Sequence, residues 1–213
     1  MLNKSDDNVW NRIAHRYDRL WVQKVSLAAT RAAILGYFES LDTEGCRTVL
    51  DLGCGTGQLL EELAGRYPGF RLTGVDKSCE MIRVAQSRDT GARLLCLDVS
   101  MDILDPVIPD GSIDVIICCH SFPYYTDKPG VLGKLRRALK KDGAMVFVQA
   151  SVNCTYDRMV MALIERTAEK ADYLSKQEFR NLVSGDFVVV KEFDIKEKIF
   201  MPSICGFVMR KRG

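Results

Sequence analysis

Apolar positions in this chain of 213 residues gather into short runs that close on an acid or a glycine. Val49-Leu50-Asp51-Leu52 opens into Gly53-Cys54-Gly55-Thr56-Gly57, and Phe70-Arg71-Leu72-Thr73-Gly74-Val75-Asp76, Leu94-Leu95-Cys96-Leu97-Asp98 and Ile113-Asp114-Val115-Ile116-Ile117-Cys118-Cys119 follow. The fifth run is Ala144-Met145-Val146-Phe147-Val148, entered through Lys140-Lys141-Asp142-Gly143. Short apolar runs bounded by turn residues predict buried strands, and the 3.6-residue spacing of Leu59, Leu60 and Leu63 predicts a helix over 58–66. Val9, Ile13, Tyr17, Leu20 and Trp21 recur at helical spacing after a Ser5-Asp6-Asp7 start that suits an N-cap, so residues 5–40 are predicted helical. Beyond the fifth strand the pattern predicts helices over 156–170 and 175–184, then strands over 186–195 and 206–211. The last strand is started after Pro202 and Gly206, because a proline inside a central strand removes a ladder bond.

The glycine turn carries the candidate chemistry. Its backbone must turn with positive φ and approach a ligand closely, which a Cβ would obstruct. A dinucleotide-binding fingerprint needs its third glycine where Gln58 stands, and no Gly-x-x-x-x-Gly-Lys-Ser/Thr stretch occurs, which removes the phosphate-cradling ATP loop. The remaining pattern of an acid followed by alternating glycines, Asp51 to Gly57, resembles the first signature of class I S-adenosylmethionine-dependent methyltransferases. Leu135 to Gly143 resembles the arginine-leucine-lysine-x-glycine-glycine turn of that family, with Asp142 in place of proline or glycine. Trp10 to Leu20 is similar to the helical arm of ubiquinone- and menaquinone-biosynthesis methyltransferases.

That resemblance covers nearly the whole chain and implies an α/β fold: a Rossmann-like seven-stranded sheet of order 3-2-1-4-5-7-6 with an antiparallel last strand. Helices would cover both faces, and an N-terminal helical lid would lie over the cofactor. One domain is expected, with the arm at 1–42, a cofactor-binding core at 43–150 and the closing helices and strands at 151–213. The implied cofactor is S-adenosylmethionine, with S-adenosylhomocysteine as product. Its contacts would come from Tyr17, Asp51, Gly53, Cys54, Gly55, Gly57, Asp76, Lys77, Met81, Asp98, Val99 and Cys119. Asp76 would accept from the ribose hydroxyls, Met81 would lie under the adenine, and Asp98 with the Val99 backbone would meet the adenine edge. Taken singly, a strand-end acid is more often a turn or helix cap than a ligand contact. Strand ends near the switch point of a doubly wound sheet are nevertheless where ligands bind.

Composition narrows the partners. With 47% hydrophobic residues and a net charge of +2, the chain reads as one globular α/β domain with no strong field toward nucleic acid or an anionic membrane. Its basic clusters, Lys134 to Lys141 and Arg210 to Arg212, read as solvated faces because aromatics are not interleaved with them. No apolar stretch reaches the length of a membrane span and the start is polar and acidic, so a cytoplasmic monomer or homodimer is expected. Eight cysteines without a C-x-x-C pair and two histidines make poor metal-site material, and thiols rather than disulfides are predicted.

The acceptor is expected over the fourth and fifth strands and the sixth-to-seventh hairpin. Ser121, Phe122, Tyr124, Cys154 and Met201 are the candidate substrate residues, with His120 and His15 as candidate general bases. Histidine accepts a proton near neutral pH, though the same side chain equally serves to shape a loop. Ser121-Phe122-Pro123-Tyr124 also resembles the polar-Pro-Pro-aromatic signature of amine methyltransferases, with Phe122 in place of the first proline. The aromatic and sulfur-bearing candidates suggest an apolar, enclosed pocket. Cys154 and Cys205 could hold a soft acceptor, against the simpler reading of core packing. The expected activity is in-line methyl transfer to a small molecule. Two alternatives stand beside it: a cofactor-binding sensor or partner subunit with the same fold and no turnover, and a nicotinamide oxidoreductase, which Gln58 and the antiparallel ending disfavour.

Overall fold

The computed structural model describes residues 9–20, 27–40, 47–102, 104–105, 107–165, 171–195 and 201–213. Seven strands form one sheet in the order β3-β2-β1-β4-β5-β7-β6, as the resemblance implied. They are β1 (Thr48–Leu52), β2 (Arg71–Asp76), β3 (Arg93–Cys96), β4 (Ile113–Cys119), β5 (Leu139–Ala150), β6 (Phe187–Ile195) and β7 (Ile204–Lys211). Helices α1 (Val9–Tyr17), α2 (Ala28–Glu39), α3 (Gln58–Arg66), α4 (Cys79–Gln86), α5 (Lys128–Ala138), α6 (Thr155–Glu165) and α7 (Lys176–Val183) alternate with them. Contacts divide the chain into two compact units, Met1–Asp98 and Val99–Gly213.

In the first unit, β1 and β2 pair in parallel with Asp51 opposite Gly74, and β2 pairs with β3 with Asp76 opposite Cys96. Val49, Leu50 and Leu52 are fully buried, as are Leu60 and Leu63 of α3. The expected arm consists of α1 and α2; Ser5, Asp6, Asp7 and Trp21 lie outside the described residues. Phe38 of α2 packs on Phe70 with ring centroids 5.8 Å apart, and Phe70 stacks on Tyr67 at 4.7 Å. This aromatic cluster ties α2 to the turn between α3 and β2.

In the second unit, β4 and β5 are parallel, while β5–β7 and β7–β6 are antiparallel. Phe122, Phe147, Phe179 and Phe207 form its aromatic core, each at most 1% exposed. Phe122 lies 5.1 Å from Phe147, and Phe179 stacks on Phe207 at 4.4 Å. Ser175 and Glu178 form a reciprocal capping box that starts α7 where the sequence predicted it. Residues 166–170, predicted to extend α6, lie outside the described residues.

Two strand boundaries differ from expectation. β5 begins at Leu139 rather than Ala144, and the basic turn Lys140 to Gly143 is a bulge within it. Between Ile113 and Val115 the register on β5 jumps from Leu139 to Ala144. β7 begins at Ile204, before Gly206. That glycine is no strand break: a Cβ there would come within 2.1 Å of the Phe193 ring, so Gly206 makes room for a side chain across the hairpin.

Candidate functional site

The glycine turn is built as the sequence required. Gly53, Gly55 and Gly57 have φ of +72°, +54° and +77°, in the left-handed region that side chains disfavour. The N–H groups of Gly53 and Cys54 both donate to the Val75 carbonyl, at 2.7 and 3.0 Å, which fixes the turn against the end of β2. Gly57 caps α3, and a Cβ on it would meet Ala85 of α4 at 3.0 Å.

Carboxylates surround this turn. Asp76, at the end of β2, accepts from Gly55 N–H at 2.9 Å and from Ser78 N–H at 2.8 Å, one bond to each oxygen. Asp51 is 2% exposed, and its Oδ1 has no hydrogen-bond partner among the described residues. Burial, with the nearby Asp76 charge, pushes its carboxyl up to about 7. A buried acceptor without a donor costs about 1–3 kcal/mol. An ammonium or hydroxyl of a small polar ligand at this turn would supply the donor. The sign of the pH effect follows: the folded protein binds this proton more tightly than the unfolded chain, so stability falls as pH rises from about 4 to about 7. Unfolding followed between those pH values is expected to show a fall in wild type that Asp51→Asn lacks; parallel curves would overturn this assignment.

The arm closes on the turn through contacts that sequence reasoning missed. Asp18, just past α1, accepts from the Thr56 hydroxyl at 2.5 Å and pairs with Arg88, which also donates to the Thr56 carbonyl at 2.5 Å and pairs with Glu61. Ser78 caps α4 by accepting from Met81 N–H at 3.1 Å, and its hydroxyl donates to Asn11 of α1 at 2.5 Å. Tyr17 stands over the turn, with Cε1 3.8 Å from the point where a Cβ of Gly55 would sit, and packs edge-on against Trp10. Met81 is buried in the first turn of α4. Lys77 and Asp98 are half-buried, at the ends of β2 and β3. His15 points elsewhere: its side chain is 77% exposed and lies 3.9 Å from Glu80.

One expectation is corrected here. Cys79 and Cys96 form a disulfide, where thiols were predicted throughout. Their separation of 17 residues has no local signature. The parallel pairing of Asp76 with Cys96 brings them together, because α4 starts three residues beyond Asp76.

The second unit holds the other candidates. His120 directly follows β4 with φ of +59°, a strained conformation for a side-chain-bearing residue, and burial lowers its imidazole to about 4. It is therefore neutral, in the proton-accepting form, through the neutral range. Ser121 accepts from Tyr125 O–H at 3.1 Å and contacts Cys118 Sγ at 3.1 Å. Tyr124 O–H meets Tyr173 O–H at 3.2 Å, whereas the Phe122 ring belongs to the aromatic core and anchors the loop from below. Cys119 and Met201 are half-buried, Val99 is buried, and the Val99 carbonyl accepts from Lys134 at 2.7 Å.

Asp157, missed in the sequence, joins two of the predicted acceptor loops. It accepts from the N–H groups of Asn153, Cys154 and Ser203 at 3.0, 3.2 and 3.0 Å and from the Ser203 hydroxyl at 3.1 Å. A cavity of about 660 Å³ beside it is lined by Asn153, Arg158, Lys176, Arg180, Asp194 and Ser203, among others. Cys154 is exposed. Cys205 is buried, donates to Asp194 at 3.3 Å and is pushed up to about 11 chiefly by burial. The two sulfurs thus occupy different environments, and no metal-holding cluster occurs among the described residues. No helix among them is long and apolar enough to cross a membrane.

Comparison with known proteins agrees with this architecture. Residues 50–147 match the methyltransferase domain family. A malonyl-[acyl-carrier protein] O-methyltransferase of Acetivibrio thermocellus is 31% identical over 140 residues, covering 65% of this chain and 46% of the relative. A demethylmenaquinone methyltransferase of Thermus thermophilus is 29% identical over 144 residues, covering 66% and 64%. The chain spans about half the length of the first curated relatives it matches. Among solved structures, a chain of the complex between the Haloferax volcanii Trm112 methyltransferase activator and the putative methyltransferase superposes with a TM-score of 0.76 at 19% identity. That match covers 95% of this chain and 97% of the other. Geranyl diphosphate C-methyltransferase from Streptomyces coelicolor, solved with S-adenosyl-L-homocysteine, gives 0.67 at 16% identity, covering 87% and 79%. Residues 50–147 thus match the methyltransferase domain family, and the seven-stranded sheet that carries them has the fold of solved methyltransferase chains.

Proposed function

We propose that this chain is an S-adenosylmethionine-dependent methyltransferase that acts on a small organic acceptor. The observation that carries the reading is the turn of three left-handed glycines beside the buried, donor-less Oδ1 of Asp51 and the strand-end carboxylate of Asp76. The cofactor fits this set chemically, since its ammonium and ribose hydroxyls are donors and it carries no phosphate for a basic loop to hold. When bound, it supplies an activated methyl carbon.

The chain's own part is binding, alignment and proton handling. Asp51 and Gly53 to Gly57 take the amino-acid end, Asp76 and Lys77 the ribose, and Met81, Asp98 and Val99 the adenine, with Tyr17 and Cys119 completing the contacts. Ser121, Tyr124, Cys154 and Met201 orient the acceptor, with Phe122 supporting their loop through core packing. His120 accepts a proton from acceptors that must lose one; burial keeps its imidazole unprotonated at neutral pH and at the same time makes it a weaker base, so it suits acceptors that are themselves acidic. Positioning the acceptor in line supplies the rest of the rate. The names of the relatives, a malonyl carrier-protein enzyme and a demethylmenaquinone enzyme, suggest malonyl thioesters and quinols as first acceptors to assay. The net charge of +2 favours neither nucleic acid nor membrane as partner, and the proposed setting is a cytoplasmic monomer or homodimer.

Calorimetric titration with S-adenosylmethionine, S-adenosylhomocysteine and NADH tests this directly. Saturable binding of the first two alone is expected, followed by homocysteine-product release with an acceptor from the panel. A folded sample that binds neither would end the proposal, and NADH binding would favour an oxidoreductase.

A further inference from the structure

The Cys79–Cys96 bond sits where the first unit carries two of its site acids. Cys79 is the first residue of α4, three beyond Asp76, and Cys96 is the last residue of β3, two before Asp98. Their Cα atoms lie 5.1 Å apart. Nearby, Leu97 N–H donates to the Asp76 carbonyl at 2.9 Å, so the same backbone carries both the hydrogen bond and the covalent tie. Among the described residues, β3 is a four-residue strand at the sheet edge, with a neighbour on one side only. Both cysteines are exposed, whereas the free thiols of Cys54, Cys118 and Cys205 are buried. Small thiols and disulfides in solution therefore reach this pair readily.

We propose that Cys79 and Cys96 are a thiol–disulfide modification site that sets the affinity of the adjoining cofactor site, tight when bonded and weak when reduced. The inference rests on the function proposed above and concerns regulation of that same site. With the bond closed, the turns bearing Asp76 and Asp98 are held at a fixed separation before the ligand arrives. With it open, a short edge strand must be ordered at the expense of binding free energy. The oxidant is a low-molecular-weight disulfide such as oxidised glutathione. One cysteine thiolate attacks it, forming a mixed disulfide and expelling one glutathione thiolate. The second cysteine thiolate attacks the protein-bound sulfur and expels the other. Two protein thiols become one disulfide, one glutathione disulfide becomes two thiols, and the protons pass to the leaving thiolates.

The test titrates S-adenosylhomocysteine into protein equilibrated with oxidised glutathione and into protein reduced with dithiothreitol, with free thiols counted after denaturation. Oxidation is expected to remove two thiols, mapped by peptide analysis to Cys79 and Cys96, and to lower Kd at least about five-fold. The Cys79→Ser/Cys96→Ser variant, or Cys96→Ser alone should the double variant fail to fold, is expected to keep the weak affinity under both conditions. By reciprocity, saturating ligand shifts the glutathione ratio at half-oxidation by the corresponding linkage factor. Equal Kd values in the two forms, or Cys79 and Cys96 recovered as thiols after oxidation, would overturn the inference while leaving the function standing. Absence of binding to either folded form would overturn both.

Discussion

Replacing Asp76 with alanine is expected to weaken S-adenosylhomocysteine binding by roughly 1.5–3 kcal/mol, or about 10- to 150-fold in Kd. Two losses combine. Asp76 holds Gly55 N–H and Ser78 N–H in the free protein, so the substitution loosens the glycine turn and the start of α4 together. It also removes the carboxylate that the proposed function assigns to the ribose hydroxyls, and hydrogen bonds to a charged acceptor are the stronger kind. Desolvation raises the Asp76 carboxyl, while the bonds from Ser78 and Gly55 hold it down; the ionised form is the one the turn uses. Calorimetry on Asp76→Ala and Asp76→Asn separates the two losses. The asparagine retains one acceptor oxygen and is expected to fall between wild type and alanine. Unchanged affinity in the alanine variant would remove Asp76 from the site.

Phe147→Ala is expected to destabilise the protein by about 3–5 kcal/mol, the cost of a large buried aromatic plus the cavity it leaves. Phe147 is fully buried on β5, with the Phe122 ring at 5.1 Å and the Phe179 ring at 5.8 Å. Its loss unseats β5, the base of the His120–Tyr125 loop and the core face of α7 at once. A lowered denaturation midpoint at unchanged slope measures the effect. A loss below about 1 kcal/mol would mean that the aromatic cluster is not the core of this unit.

Much of the site was legible because its constraints are local. Three glycines were readable as left-handed before any coordinates, since no other residue adopts that conformation so cheaply in so short a turn, and each has positive φ. The strand-end acids were legible because an apolar run that stops on a carboxylate marks where a buried strand emerges. His120 was named as a base from its residue type and its place after the fourth strand. Its strained φ and lowered pKa came from the fold, as did the placement that sets it apart from His15, whose side chain is 77% exposed. Phe122 looked like a pocket residue from its neighbours in sequence, yet one turn of 3-10 helix over Phe122–Tyr124 directs its ring into the core.

The sequence by itself determined the order and type of most elements and the glycine turn with its flanking acids, because periodicity and φ preference act over a few residues; the strand order of the sheet followed from the family resemblance that those residues carry. Tertiary structure alone decided which distant side chains meet. It brought Asp18 and Arg88 onto Thr56, Asp157 onto Ser203 and Cys79 onto Cys96, and it made Gly206 a seat for Phe193 rather than the start of a strand. These contacts join residues whose spacing carries no period. They exist only after β2 has paired with β3, β6 with β7, and α1 has packed on α4. Burial then does to Asp51 and His120 what no residue type encodes, removing water from one carboxylate and one imidazole and shifting each toward its neutral form.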